Sequence, residues 1–297
     1  MKSRQTEKLG FELALLAVLA FLWGSSYLLI RVALDTIPPI TLIAARVLIA
    51  TLFLFIVMSM RREHLPRDFR TWRMLFVQAV FNSIGAWTVL AWGQQYVESS
   101  LASVLNSTSP VFVFLITRFF TRHETTDIVR FAGASLGVFG VTLIVGIDAL
   151  HGLGQQVVAQ LAILLGAVLY AGAAIYGKNF THLPSTVTAA GTMIWATVCL
   201  VPLSLIVEHP WTLAPSIMSL LSTVVLAVFC TGVALLIYFR LVKTLGSLGA
   251  ASQSYLRSGI GVLLGVIVLG EHISFVVGIG IATAVLGVVA INAPQKI

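Results

Sequence analysis

Ile217–Phe239 reads IMSLLSTVVLAVFCTGVALLIYF, and Ile273–Ala293 reads ISFVVGIGIATAVLGVVAINA; neither stretch carries a formally charged side chain. A helix that crosses the hydrocarbon core of a bilayer needs roughly 20 such residues. Reading outward, with breaks at charges, Pro and Gly, gives ten segments of this kind. In the first half they are about Phe11–Ala33, Ile40–Met60, Arg73–Gly93, Ser100–Phe120 and Ile128–Ile147. In the second half they are about Val157–Lys178, Val187–Val207, Ile217–Phe239, Leu248–Leu269 and Ile273–Ala293. The segments are rich in Leu and Ala and lack period-2 alternation, which excludes an outer-membrane barrel. Helices are the remaining way to satisfy backbone polar groups in lipid.

Composition agrees. The 297 residues are 58% hydrophobic and 10% charged, against about 25% charged in soluble domains. The links are too short for an extramembrane domain, and the first segment reads as a retained helix rather than a signal peptide. Cys199 and Cys230 both fall inside predicted spans, where a thiol packs as a small hydrophobe.

The net charge of +7 reflects topology rather than nucleic-acid binding. All of the 18 Lys and Arg except Arg31, Arg46 and Arg257 fall on one side of a ten-span arrangement. The opposite links hold Asp35, Glu98, Asp148, Glu208 and Glu271. Basic links stay cytoplasmic, so both termini are expected in the cytoplasm. Anionic lipid is the expected contact of these bases.

An offset of 147 residues aligns the two halves without gaps. It pairs Glu124 with Glu271, Gly85 with Gly232, Gly133 with Gly280, Gly140 with Gly287, Ser107 with Ser254, Thr41 with Thr188, Arg31 with Lys178 and Trp23 with Tyr170. The predicted units are residues 1–147 and 148–297, each with five spans. An odd number of spans turns the second unit upside down. The expected fold is therefore an all-α membrane protein of ten transmembrane helices in two inverted five-helix repeats. Inverted repeats of this kind build secondary transporters, with the ligand near the midplane between them.

Particular local patterns resemble the drug/metabolite transporter superfamily, EamA branch. They are Trp23-Gly24-Ser25-Ser26 in the first span, Ala45-Arg46 followed by Ala50 in the second, Pro110 in the fourth, and Leu269-Gly270-Glu271 before the last. The resemblance covers nearly the whole chain and is nearest to bacterial YddG-type amino-acid exporters. It implies inner-membrane export of aromatic and other neutral amino acids. The sequence departs from the family pattern in two places. His123 precedes Glu124 where a Gly is common, and Arg257 stands where a proline matching Pro110 is usual.

Candidate cargo-binding residues are the polar and aromatic groups that lie deep. On the third span Gln78, Asn82, Gly85, Val89 and Trp92 follow a 4-3-4-3 spacing, one face of an α-helix. Asn106 on the fourth span maps by the offset onto Gln253 of the ninth. Two amides at mirrored depths are expected to face each other across the pseudo-axis; interhelical glue, worth about 0.6 kcal/mol per bond, is the competing reading. Arg257 is the charge nearest a span centre, where insertion costs about 2.5–3.5 kcal/mol and an intramembrane charge suggests function. Arg46 reads as a snorkelling or helix-end arginine. Trp23 and Tyr170 lie mid-span and suit either ring stacking or core packing. Trp72 and Trp211 read as interfacial anchors, and Trp195 as a lone ring on an apolar span. Glu124 and Glu271 precede helices five and ten, where an acid can cap or gate. The glycines at 133 and 137, and at 261 and 265, form small-xxx-small pairs for close helix contact.

No Asp, Glu or His falls in the middle third of a span, which argues for facilitated diffusion or exchange rather than proton coupling. The chain holds no HExxH, no paired carboxylates at depth, no Ser with a nearby His and no Walker motif. An enzyme, a metal site, a cofactor and ATP drive are accordingly not expected. The expected partners are a small-molecule cargo and the lipid bilayer. Organic-anion or sugar-phosphate exchange, and a channel, are the alternatives.

Overall fold

A computed structural model describes residues 2–117, 132–133, 135–137, 139–140, 143, 154–244 and 253–291. All regular structure among them is helical. In chain order the helices are α1 (Lys2–Ala33), α2 (Pro39–Arg61), α3 (Phe69–Gly93) and α4 (Ser99–Ile116). The helical residues described between 132 and 143 form α5. They are followed by α6 (Gly154–Gly177), α7 (Ser185–Val207), α8 (Ile217–Thr244), α9 (Gln253–Leu269) and α10 (Phe275–Ile291). Seven of these, α1 to α4 and α6 to α8, are long and apolar enough to cross a membrane, and α9 and α10 are shorter apolar helices. Glu124, most of the expected fifth span and the expected start of the ninth at Leu248 lie outside the described residues.

The helix ends follow local chemistry. Asp68 caps α3 by accepting the Thr71 N–H at 2.7 Å, and Ser216 caps α8 by accepting the Ser219 N–H at 3.1 Å. Pro38-Pro39 starts α2 without a capping side chain of its own. Glu208, at the end of α7, supplies the missing acceptors: its carboxylate takes the N–H of Ile40 at 3.0 Å and of Thr41 at 2.6 Å. Among the described groups this acid is a cap between helices rather than a free link residue.

Repeat-equivalent helices run antiparallel. Along the α2–α7 seam the Thr41 hydroxyl lies 2.9 Å from Ser204, and the Thr51 hydroxyl 3.0 Å from Thr197. The α5–α10 seam is mirrored residue by residue. A Cβ on Gly140 would collide with Gly280 and Ala284, and one on Gly287 would collide with Gly133 and Gly137. Adding 147 to one set gives the other, so a pseudo-two-fold axis passes between these helices. The close approach needs glycine on both sides.

The halves share one further feature. The middle of α3 is π-helical over Val80–Ala86, and the middle of α8 over Val228–Val233. The offset carries one segment onto the other, with Gly85 and Gly232 inside them. A π-turn inserts an extra residue and turns the helix face by about 100°. The 4-3-4-3 face expected on the third span assumes an unbroken α-helix, so it does not survive as one stripe. The buried residues through this region are Gln78, Ala79, Ser83, Ala86 and Trp87, whereas Asn82 and Trp92 are half-buried.

Packing brings α1 along α9, α9 onto α4, and α3 onto α6. Gly261 and Gly265 of α9 lie against Ser103 and Ser100 of α4. Trp195 is not a lone ring: its indole N–H donates to the Trp72 carbonyl at 3.0 Å, and Trp72 and Phe76 meet it edge-on. Cys199 and Cys230 are both free thiols.

Candidate functional site

Arg46 lies seven residues, about 10 Å, into α2. It is 3% exposed, so it neither snorkels nor holds a helix end. Its guanidinium lies 3.8 Å from the centre of the Trp87 ring on α3, a cation–π contact worth about 2 kcal/mol when desolvated. Its Nε–H donates to the Thr231 hydroxyl at 2.7 Å. Thr231 belongs to the π-segment of α8 and donates to the Leu226 carbonyl at 2.9 Å, so the bulge positions the oxygen that meets Arg46. The indole N–H of Trp87 in turn donates to the Tyr170 hydroxyl of α6.

A second polar group stands beside the first. Asn106 Nδ2 donates to the Tyr27 hydroxyl at 2.7 Å. Arg257 Nη2 lies 3.5 Å from the Asn106 main-chain oxygen, at the outer limit of a hydrogen bond. The two groups border one packed core, in which Tyr27 and Trp87 are buried and against which Tyr170 packs. Helices α1 and α4 thus meet α9 at one group, and α2 and α3 meet α6 and α8 at the other.

Among the described residues, several buried polar atoms on α4 and α9 have no hydrogen-bond partner: Asn106 Oδ1, Gln253 Oε1 and Arg257 Nε. An unpaired buried polar atom costs about 1–3 kcal/mol, and together these form a set of unused donors and acceptors. The described carboxylates that make specific contacts make them elsewhere. Glu12 pairs with Arg240 at 2.8 Å, Asp68 caps α3, Glu208 caps α2, and Glu271 serves α4. Among the described residues no carboxylate pairs with Arg46 or Arg257.

The other sequence-derived candidates scatter. Gln78 donates to the Ala173 carbonyl at 3.2 Å, on the α3–α6 seam. Asn82 donates to its neighbour Ser83 at 3.2 Å. Trp92 packs on Tyr96 with ring centres 5.4 Å apart, and Trp23 on Tyr238 at 5.3 Å. Gln253 is buried one helical turn before Arg257, but Arg257, not Gln253, is the α9 residue that reaches Asn106.

Glu271 does not cap its own helix. Its carboxylate accepts the N–H of Ser99 at 2.7 Å and of Ser100 at 2.9 Å, at the start of α4. Burial alone would push this carboxyl up, but the bonds from Ser100 and Ser99 outweigh it and hold it below the ordinary carboxylate range. Glu98, next to the same helix start, is pushed up by desolvation and then by the charge of Glu271.

Sequence reading missed Arg46, Tyr27, Trp87, Thr231 and Glu208 as site or seam residues. For Arg46 the signal was its depth within α2. For Tyr27 and Trp87 it was a polar-edged ring inside an apolar span.

The chain is similar along most of its length to transporters of bacterial membranes. It is 26% identical over 277 residues to the "Uncharacterized inner membrane transporter YedA" of Escherichia coli (strain K12), covering 93% of this chain and 89% of the relative. It is also 26% identical over 292 residues to the "Uncharacterized transporter YvbV" of Bacillus subtilis (strain 168), covering 95% and 92%. A crystal structure of another protein shares the fold at a TM-score of 0.67 and 20% identity, over 95% of this chain and 96% of that one. These likenesses accord with a multi-pass protein of the inner membrane. The EamA-like transporter family matches twice, over residues 10–146 and 157–293, and both limits of the second match lie 147 residues beyond those of the first. The chain therefore belongs to the EamA-like transporter family, within the drug/metabolite transporter superfamily.

Proposed function

We propose that the protein is a secondary exporter of small amphipathic metabolites that carry a carboxylate, acting by alternating access around the Arg46–Asn106–Arg257 region. The observation that carries this reading is a pair of buried polar groups bordering one core, Arg257 with Asn106 and Tyr27 and Arg46 with Trp87 and Tyr170, of which Asn106 Oδ1 and Arg257 Nε are unpartnered among the described residues. A guanidinium fork matches a carboxylate. Unpaired amide oxygens at Asn106 and Gln253 suit an ammonium or hydroxyl, and the rings suit an apolar body. Aromatic and other neutral amino acids, the cargo of YddG-type exporters, have this chemistry. The halves 1–147 and 148–297 serve as the moving units, with both termini in the cytoplasm.

Organic-anion exchange is the second reading, and the buried position of Arg46 favours it, because it adds a base to the one Arg257 supplies. Counterflow in proteoliposomes across labelled aromatic amino acids, their amides and the matching keto acids tests both. Uptake should need no imposed proton gradient, since no carboxylate or histidine lies mid-span. Uptake that is linear in concentration and shows no counterflow would point to a channel and sink the carrier reading.

A further inference from the structure

Arg46 has an open hydrogen-bonding edge. Its face is stacked on Trp87 and its Nε is used by Thr231, but neither terminal nitrogen donates to another described residue. Stacking occupies the face of the guanidinium and leaves the in-plane fork free, which is the geometry that takes a carboxylate by two parallel bonds. Arg257 is equally under-used. Its Nε has no partner, and Nη2 makes one long contact to a main-chain oxygen. Two buried guanidiniums therefore border one packed core that contains Tyr27 and Trp87 and against which Tyr170 packs, and the described carboxylates either serve helix ends and an ion pair or lie in the links.

A cation at such depth requires compensation. The main chain and the rings supply part of it. A zwitterionic cargo would leave the sum of the two charges unchanged and would place its ammonium in the field of both. A cargo with two acidic groups neutralises both.

We propose that Arg46 and Arg257 are separate anion anchors of one cargo site, so that the cargo held best is an amphipathic organic anion with two acidic groups on a compact apolar body, and neutral amino acids are weaker cargo. This rests on reading the cluster as the cargo site. It makes Arg46 a specificity-determining residue, a role beyond its packing on Trp87.

The test is counterflow by the full-length protein in proteoliposomes with three labelled probes of similar size. They are phenylsuccinate (a dianion), phenylpyruvate (a monoanion) and phenylalanine (a zwitterion). The wild-type protein should exchange phenylsuccinate about tenfold faster than phenylalanine at equal low concentration, with phenylpyruvate between them. Arg46→Gln should abolish the dianion's advantage, lowering phenylsuccinate exchange by a larger factor than phenylpyruvate exchange, and Arg46→Lys should restore part of it. Wild-type protein that prefers phenylalanine overturns this inference and leaves the carrier of amphipathic carboxylates standing. Equal loss of all three probes in Arg46→Gln without rescue by Arg46→Lys overturns the anchor role in favour of packing alone. If the wild-type protein exchanges none of the three, the reading of the cluster as a cargo site falls as well. The wild-type comparison needs no variant to fold.

Discussion

Arg257 reaches toward the one carbonyl of α4 that a proline in the same helix deprives of its donor. Pro110 cannot donate to the Asn106 carbonyl four residues earlier. The Ser109 hydroxyl donates to that oxygen at 2.7 Å, and Arg257 Nη2 lies 3.5 Å from it. The offset of 147 places Arg257 at the position equivalent to Pro110. The α-helical stretch of α4 that ends at Asn106 is separated from the one that starts at Ser109 by Ser107 and Thr108, just before Pro110. Where the family pattern has a second proline, the chain places a charge directed at this break.

Arg257→Gln keeps a donor but removes the charge. Counterflow of substrates with a free carboxylate should fall about tenfold more than counterflow of their amides. Equal loss for acid and amide would mark Arg257 as a structural partner of the α4 break and remove it from the site.

Gln253→Leu deletes the unpartnered amide at nearly constant volume. If Gln253 binds cargo, transport per folded molecule drops while the thermal midpoint holds. If the amide only joins helices, stability falls by about 0.6 kcal/mol and transport per folded molecule is unchanged. Parallel thermal unfolding and counterflow separate the two outcomes.

The helices were legible because hydropathy and length alone set them. The expected Ile40–Met60, Val187–Val207 and Ile217–Phe239 fall inside the observed α2, α7 and α8. Their contacts were less legible. Arg46 looks peripheral until Trp87 and Thr231, from two other helices, enclose it. The π-segments have no compositional mark, so a face drawn through Gln78, Asn82 and Trp92 at α-helical spacing crosses a change of phase. Glu271 reads as a cap for the helix that follows it, because the helix start it serves is 172 residues away at Ser99. Local propensity does not encode such partners; the packing of the repeats creates them.

Topology has a direct check. Single cysteines at Ser3 and Gln295, in a background lacking Cys199 and Cys230, should react with an impermeant maleimide only from the cytoplasmic side. Labelling of the two tails from opposite sides would break the ten-span arrangement.

The Glu271–Ser99 contact predicts how stability depends on pH. Glu271 is held below the ordinary carboxylate value by the N–H groups of α4. Its contribution is therefore fully present above that value and is lost as pH falls through the folded-state value. The wild-type thermal midpoint should hold as pH drops from about 6 to about 5 and fall below that, toward about 3, because the loss lies between the ordinary glutamate value of about 4.3 and the lower folded-state value. Glu271→Gln should show a shallower fall and should cost about 1 kcal/mol near neutrality, the usual worth of a helix cap. Glu98 has the opposite sign. Desolvation and the charge of Glu271 raise it, so its contribution is present at low pH and is lost as pH rises through the raised value. Glu98→Gln should raise the thermal midpoint near neutrality, because it removes a desolvated charge and a like charge beside Glu271, and the gain should shrink, without vanishing, when Glu271 is also replaced in the Glu98→Gln, Glu271→Gln double variant. Unfolding curves for the four proteins across this pH range test the pairing. If the gain from Glu98→Gln is undiminished in the double variant, the two carboxylates do not interact, and Glu271 acts on α4 alone.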